Sequence, residues 1–296
     1  MWVSVNGLVT PAAEARISPL DHGFLYGDSV YETLRTYGGR PFLLDAHLQR
    51  LQGSGAGLLL APDFELDLLK TEIDRVLEAG RYPESMVRVI WSRGPGDLSY
   101  DPDAAQHATR VVINKPLTEY PATHWADGVG VWVVDVRRNP IAALDPRLKT
   151  SNLLNPRLAY MQARPHGAME ALLLSAAGTV AECSRANFFV VGGGKVRTPS
   201  VETGILNGIT RRLALQLCRE EGIPAEEVTL PASALSSCDE AFMTSTTQHV
   251  MPVTRIDGRP VGAGTVGPIV RRLMAAYDRF VAAGHWALQD RVAERR

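Results

Sequence analysis

Leu144-Asp145-Pro146-Arg147-Leu148-Lys149-Thr150-Ser151-Asn152-Leu153-Leu154-Asn155-Pro156-Arg157-Leu158-Ala159-Tyr160 sets a single lysine just ahead of a run in which Leu153, Leu154, Leu158 and Met161 recur at helical spacing. That spacing predicts a helix with these residues on its buried face and Lys149 at or just inside its start. An ammonium in such a place is expected to be partly desolvated. Burial disfavours the charged form, and an uncharged lysine amine serves both as nucleophile and as general base. The alternative is a Lys149 that snorkels to solvent with its stem packed on the leucines. The rest of the chain has to decide between the two.

A chain of 296 residues is long enough for one large or two ordinary domains with real cores. Two are expected: residues 1–115, a proline-bearing linker at 116–127, and residues 128–296. Hydrophobic content of 45% and charged content of 21% are those of an average soluble globular protein. A net charge of -1 makes no case for nucleic acid or an anionic membrane as partner. Cys183, Cys218 and Cys238 are too few for a disulfide framework and too far apart for a close metal-ligand pair. No metal is expected, and a reducing, cytoplasmic setting fits best. The first residues lack the basic leader and apolar core of a signal peptide, and no window reaches the length of uninterrupted apolar residues that a membrane span needs.

Residues 2–9 alternate around Asn6-Gly7, the dipeptide of a tight hairpin. A turn-rich loop containing Asp21, His22, Tyr26 and Gly27 leads into a strand at 30–37. Asp45 is placed to cap a helix carrying His47 and Arg50 on one face. A second helix is expected at 64–79, stopping at Gly80. Strands follow at 86–91 and 110–113, separated by a Gly/Pro/Asp-rich loop at 93–106. Beyond the linker, strands are expected at 129–136, 171–174, 187–191, 195–197 and 240–243. An amphipathic helix at 208–221 should have Arg211, Arg212 and Arg219 outside, and a long helix begins at Gly267. Intermingled strands and helices indicate a mixed α/β or α+β fold.

Three groups could make a site. Gly204 and Gly208 in Thr203-Gly204-Ile205-Leu206-Asn207-Gly208-Ile209-Thr210-Arg211 let the backbone turn sharply, and the helix that follows offers free N–H groups to an anion. It is neither a Walker loop nor a dinucleotide fingerprint, and an ordinary loop-to-helix entry would look the same. Thr244-Ser245-Thr246-Thr247 gathers hydroxyls and loop amides, and Arg50 could clamp the same anion. Glu182 heads an apolar strand. A carboxylate there either caps a turn or pairs with a buried cation, such as the protonated nitrogen of a pyridine ring.

A lysine, a carboxylate and a phosphate cup are the parts that a pyridoxal phosphate enzyme needs. The chain resembles the fold-type IV pyridoxal phosphate enzymes, the class IV aminotransferase family, over nearly its whole length. The resemblance rests on Asp21-His22-Gly23-Phe24-Leu25-Tyr26-Gly27-Asp28, Tyr31-Glu32-Thr33-Leu34-Arg35, His47-Leu48-Gln49-Arg50-Leu51, the Lys149 segment, Glu182 with Asn187-Phe188-Phe189, the Gly204 to Arg211 loop, and Ser245-Thr246-Thr247 with Pro252-Val253. It implies that Lys149 bonds the cofactor covalently, that Arg50, Ile209, Thr210 and Thr246 hold its phosphate, that Glu182 faces the pyridine nitrogen and that Leu206 backs the ring. Tyr26 and Tyr31 would line the substrate pocket, with Thr247 and Arg88 as groups for the substrate carboxylate.

The fold implied is a small N-terminal α/β domain and a larger C-terminal pseudo-barrel α/β domain with the cofactor between them, in a homodimer with shared active sites. The implied reaction moves an amino group between a branched-chain-like or D-amino acid and a 2-oxo acid. Aminodeoxychorismate lyase chemistry on the same fold is the alternative, and a non-catalytic vitamer-binding protein a more distant one. The Pro-Arg-x-His carboxylate trap of D-amino acid aminotransferases has no counterpart in 93–106. The Tyr-x-Arg motif of branched-chain enzymes is reduced to Met86-Val87-Arg88.

Overall fold

A computed structural model describes residues 1–105, 107–284 and 286–289. Gln106, the last residue of the expected 93–106 loop, lies outside them. The chain divides into two compact units, Met1–Glu119 with Asp145–Leu154, and Tyr120–Leu144 with Asn155–Arg296. The segment with Lys149, which chain order groups with the second half, therefore packs with the first.

The first unit is a six-stranded sheet in which every pairing is antiparallel. Trp2–Val5 and Leu8–Pro11 form the expected hairpin, with Asn6 and Gly7 both at positive φ, 49° and 88°, as a two-residue turn of this kind requires. Ser29–Tyr37 and Ser85–Ser92 pair in register, Thr33 opposite Arg88 and Leu34 opposite Val87. Alternation sends Val30, Glu32 and Leu34 to one face and Tyr31, Thr33 and Arg35 to the other.

Helices Leu44–Gly57 and Leu66–Gly80 cover the first of these faces, burying Leu48, Leu51, Leu69, Ile73 and Val76 against Val30, Leu34, Val87, Val89 and Trp91. Asp45 does not cap the first helix. It lies inside the first turn, where its charge suits the helix dipole, and the cap position is Leu43 in the left-handed region without a side-chain bond. The second helix stops at Gly80 as expected, and the left-handed residue that ends it is Arg81.

The second unit holds a mixed nine-stranded sheet. Asn187–Gly192, Glu240–Ser245 and His249–Ile256 are antiparallel neighbours, and Val129–Val133 joins His249–Ile256 and Glu170–Leu174 in parallel. Both faces of Glu170–Leu174 are covered, with every residue buried. Leu172 and Leu174 face one core, while Ala171 and Leu173 face Ala159 and Ala163 of helix Leu154–Ala163. Such continuous burial is what parallel strands in layered sheets require. Helices Ile209–Glu220 and Pro268–Ala283 complete the unit. Among the described residues, no helix is long and apolar enough to cross a membrane.

Two expectations are corrected. Lys149 is not at a helix start, because the helix begins only at Leu154, and the leucines meant for its buried face are outside: Leu153 is 37%, Leu154 67%, Leu158 45% and Met161 58% exposed. The small residues Ala159 and Ala163 allow close approach to the sheet, so they form the packed face and the larger side chains point away. Arg211, expected outside, is buried, with Nη2 donating to the Pro199 carbonyl at 2.9 Å and to Glu227 at 2.7 Å.

Packing of the first helix on the sheet is tightest at Gly55, where a β-carbon would stand 2.2 Å from Cζ3 of Trp91. Gly55→Ala is expected to cost about 1–3 kcal/mol, read as a lowered urea midpoint at unchanged m value.

Candidate active site

Strand Ser29–Tyr37 has Ser85–Ser92 on one side. On its other edge Arg40–Pro41 pairs only with Thr36 and Tyr37. The lysine segment takes up the start of that edge. Val30 and Thr150 form an antiparallel bridge, Tyr31 N donates to the Lys149 carbonyl at 2.9 Å, and Ser151 N donates to the Ser29 carbonyl at 2.9 Å. Lys149 N donates to Ser54 Oγ at 3.0 Å, and Asn152 Nδ2 donates to the Gly27 carbonyl at 2.9 Å. Leu148 fills the space over Gly57, where an added β-carbon would stand 2.5 Å from it. The main chain around Lys149 is thus fixed on several sides while its side chain stays half-buried. Its Nζ lies 4.5 Å from the centroid of the Tyr31 ring, and Arg88 Cζ lies 4.9 Å from the same centroid.

On the helix-covered face of the same strand, Glu32 is fully buried. Arg50 grips it with a two-point fork, Nε to Oε1 at 2.7 Å and Nη2 to Oε2 at 2.8 Å, and His47 Nδ1 meets Oε2 at 2.7 Å. The three-residue spacing of His47 and Arg50 puts both on the side of the helix that faces this strand. Burial alone would push the Glu32 carboxyl up. The Arg50 charge, with the hydrogen bonds from Arg50 and His47, more than reverses it, and the group lies well below the usual carboxylate range. Burial pushes His47 down, and although Glu32 pulls the other way, Arg50 and Lys149 add to the depression, leaving His47 below its ordinary 6.5. A carboxylate, a guanidinium and a neutral imidazole sum to no net charge, which a dry site tolerates best.

In the second unit Glu182 is the penultimate residue of strand Val180–Cys183, and it is buried. Its Oε1 accepts from Arg138 Nε at 2.8 Å. Its Oε2 accepts from Asn187 Nδ2 at 3.2 Å and from the Leu206 amide at 3.1 Å. Downstream, Gly208 precedes helix Ile209–Glu220 in extended conformation and offers no side chain to cap it. Its first turn, starting with Ile209 and Thr210, is therefore open to an external anion. Thr246 and Thr247 occupy the turn between Glu240–Ser245 and His249–Ile256. That turn is tied down by Gln248, whose Nε2 donates to Glu170 at 2.9 Å; Ser184 Oγ donates to the other Glu170 oxygen.

The first unit therefore brings Lys149, Tyr31 and Arg88 together, with Arg50 held on Glu32. Tyr26 packs instead against His22 and Tyr100, with ring centroids at 5.1 and 5.3 Å. The second unit brings Glu182 to Leu206. An amine, a carboxylate acceptor and an uncapped helix start fit a pyridoxal phosphate in chemical kind. Sequence reasoning missed the roles of Glu32, Arg138, Asn187 and Gln248. For Glu32 a signal existed, since a charged residue in the middle of an apolar alternation must find a buried partner. For the others none did.

Because folded His47 is harder to protonate than the unfolded chain's histidine, acid puts a proton on the unfolded state first. Folding stability is therefore lost as pH falls through 6.5. Glu32 contributes stability that is present above the unfolded carboxylate range and fades as pH falls through it. His47→Gln keeps an amide donor without a titrating proton. Its stability curve is expected to be flatter between about pH 7 and 5, by up to about 1.4 kcal/mol per pH unit, measured by urea denaturation across pH.

Residues 29–256 match the amino-transferase class IV family. A Methanocaldococcus jannaschii protein provisionally named a branched-chain-amino-acid aminotransferase is 38% identical over 277 residues, 92% of this chain and 94% of that one. A D-alanine aminotransferase of Bacillus licheniformis is 32% identical over 281 residues, 95% of this chain and 97% of that one. The crystal structure of a branched-chain aminotransferase from the thermophilic archaeon Thermoproteus uzoniensis with norvaline superposes with a TM-score of 0.88 at 29% identity, covering 96% of this chain and 95% of that one. A branched-chain amino acid aminotransferase crystallised with pyridoxamine 5'-phosphate superposes with a TM-score of 0.90 at 31% identity, with the same coverage of 96% and 95%. With its mixed α/β units and a family match spanning both, this chain belongs to the class IV aminotransferases.

Proposed function

We propose that the protein is a pyridoxal 5'-phosphate-dependent transaminase that moves the amino group of a branched-chain-like or D-amino acid to a 2-oxo acid such as 2-oxoglutarate or pyruvate. The observation that carries this is the pinned main chain of Lys149 with its amine over Tyr31. A lysine held this way is positioned for chemistry, where a solvating lysine needs no such anchoring. Bound pyridoxal phosphate supplies an aldehyde that takes up the amino group and a ring that withdraws electrons from it. Lys149 would hold the cofactor through its amine, which is also the group that would move a proton at the substrate Cα.

Glu182 would face the ring nitrogen and favour its protonated form, and Leu206 would back the ring. The Ile209 and Thr210 amides, Thr246 and Arg50 would hold the phosphate. Tyr26, Tyr31, Arg88 and Thr247 orient the substrate, Arg88 as the cation for a carboxylate. Passage of the chain from one unit to the other between Glu119 and Tyr120 supports reading 116–127 as the interdomain linker. The three thiols are free and buried, and burial pushes Cys218 up to about 12. This supports a reducing, cytoplasmic setting.

Lys149→Ala is expected to abolish turnover and the lysine-bound cofactor's absorbance while the protein stays folded; wild-type turnover in that variant overturns the assignment. Incubation with L-leucine or D-alanine plus 2-oxoglutarate, followed by glutamate release, reports the donor class. Pyruvate and 4-aminobenzoate from aminodeoxychorismate would instead indicate a lyase.

The same reading includes a homodimer. Leu154, Leu158 and Met161 form an exposed apolar stripe at i, i+4 and i+7 on helix Leu154–Ala163, an arrangement suited to burial against a second copy of the chain. Leu158→Glu is expected to shift the sedimentation coefficient from dimer to monomer with far-ultraviolet circular dichroism unchanged. A wild-type coefficient rejects this face as the interface.

A further inference from the structure

Glu182 is assigned above to a cofactor atom, yet the protein already supplies it with a cation. Arg138 Nε donates to Oε1 at 2.8 Å, and the side chain of Arg138 is only 15% exposed. The arginine is itself anchored from two directions. Its amide donates to the Leu174 carbonyl at 2.9 Å, and its Nη1 donates to Asn155 Oδ1 at 3.2 Å; Asn155 Nδ2 in turn donates to the Arg137 carbonyl at 2.8 Å. Asn187, 4% exposed, divides its amide between Glu182 Oε2 at 3.2 Å and the Leu206 carbonyl at 2.8 Å. Strand, helix start and loop thus converge on one carboxylate.

We propose that Arg138 is a positioning residue for Glu182, holding the carboxylate ionised and aimed so that the proton it shares with a pyridine nitrogen stays on the nitrogen. The proposal rests on the assignment of Glu182 to that nitrogen. A guanidinium does not give up its proton in a protein, so one oxygen of Glu182 is committed to a fixed positive charge and the other to neutral N–H donors. A carboxylate so satisfied gains little by taking a proton from a neighbouring pyridinium. Without Arg138, a buried anion would face a buried cation alone, and moving the shared proton to Glu182 would neutralise both. The ring would then lose the charge that draws electrons from the substrate Cα. Arg138 touches neither substrate nor cofactor in this scheme. It acts through Glu182.

The test uses holoenzyme loaded with ring-15N pyridoxal phosphate. In Arg138→Met the 15N signal is expected to move from the pyridinium toward the neutral pyridine position, and kcat to fall about tenfold or more with KM for the oxo acid little changed. Arg138→Lys should restore part of both. The double variant Arg138→Met/Glu182→Gln should be no slower than Glu182→Gln alone, since both act through one carboxylate. A wild-type 15N signal and kcat in Arg138→Met, with both altered in Glu182→Gln, overturns the role of Arg138 and leaves Glu182 standing. Wild-type behaviour of Glu182→Gln itself removes the assignment on which the proposal rests. Should Arg138→Met fail to fold, Arg138→Lys carries the test: a partial loss of kcat with a partial 15N shift supports the role, and wild-type values overturn it.

Discussion

A strand edge cannot be left with its N–H and C=O groups unpaired where solvent is excluded. The edge of Ser29–Tyr37 meets that demand with a segment more than a hundred residues further along the chain, through the Val30–Thr150 bridge and the hydrogen bonds from Tyr31 N to the Lys149 carbonyl and from Ser151 N to the Ser29 carbonyl. The ladder fixes φ and ψ on both sides of Lys149 and so limits where its amine can reach. Ser54 and Leu148 then tie the same segment to helix Leu44–Gly57. The Lys149 segment is positioned by backbone pairing, which a side-chain substitution nearby disturbs far less than it would a position held by packing alone.

Two buried carboxylates, one in each unit, follow one rule. Glu32 is met by the Arg50 fork and by His47, and Glu182 by Arg138, Asn187 and the Leu206 amide. Removing a carboxylate from water costs several kcal/mol unless each oxygen finds donors, and here each oxygen does. The partners differ. Around Glu32 an imidazole that burial holds below its ordinary range completes the shell. Around Glu182 the shell is a guanidinium, a side-chain amide and a backbone amide.

Local patterns carried much of the fold. Asn6-Gly7 announced its hairpin, alternation at 30–37 announced its strand, and the apolar period of 64–79 its helix, because these elements are decided by residues near one another in sequence. The helix after Lys149 shows where such reading stops. Leu154, Leu158 and Met161 have the right spacing for a buried face, but spacing says only that they share a face, and Ala159 and Ala163 took the sheet instead. Arg211 was misjudged for the converse reason: its partners, the Pro199 carbonyl and Glu227, come from other elements and leave no trace in the helix itself. Lys149, Glu182 and the glycine loop could be singled out as residue types. The contacts of Glu32 with Arg50 and His47, and of Arg138 and Asn187 with Glu182, join separate elements, which no local pattern encodes.

The glycine loop illustrates how tightly such long-range contacts couple. Conformational freedom is not what Gly208 supplies, since its φ of -63° and ψ of 140° are open to any residue. Space is: a β-carbon there would stand 2.1 Å from Asn187 Oδ1. Asn187 could yield only by rotating its amide away from Glu182 and from the Leu206 carbonyl. The residue that precedes the helix is thus sterically linked to the residue that bonds Glu182. A side chain at position 208 would disturb both, although it carries no charge and donates no hydrogen bond to either.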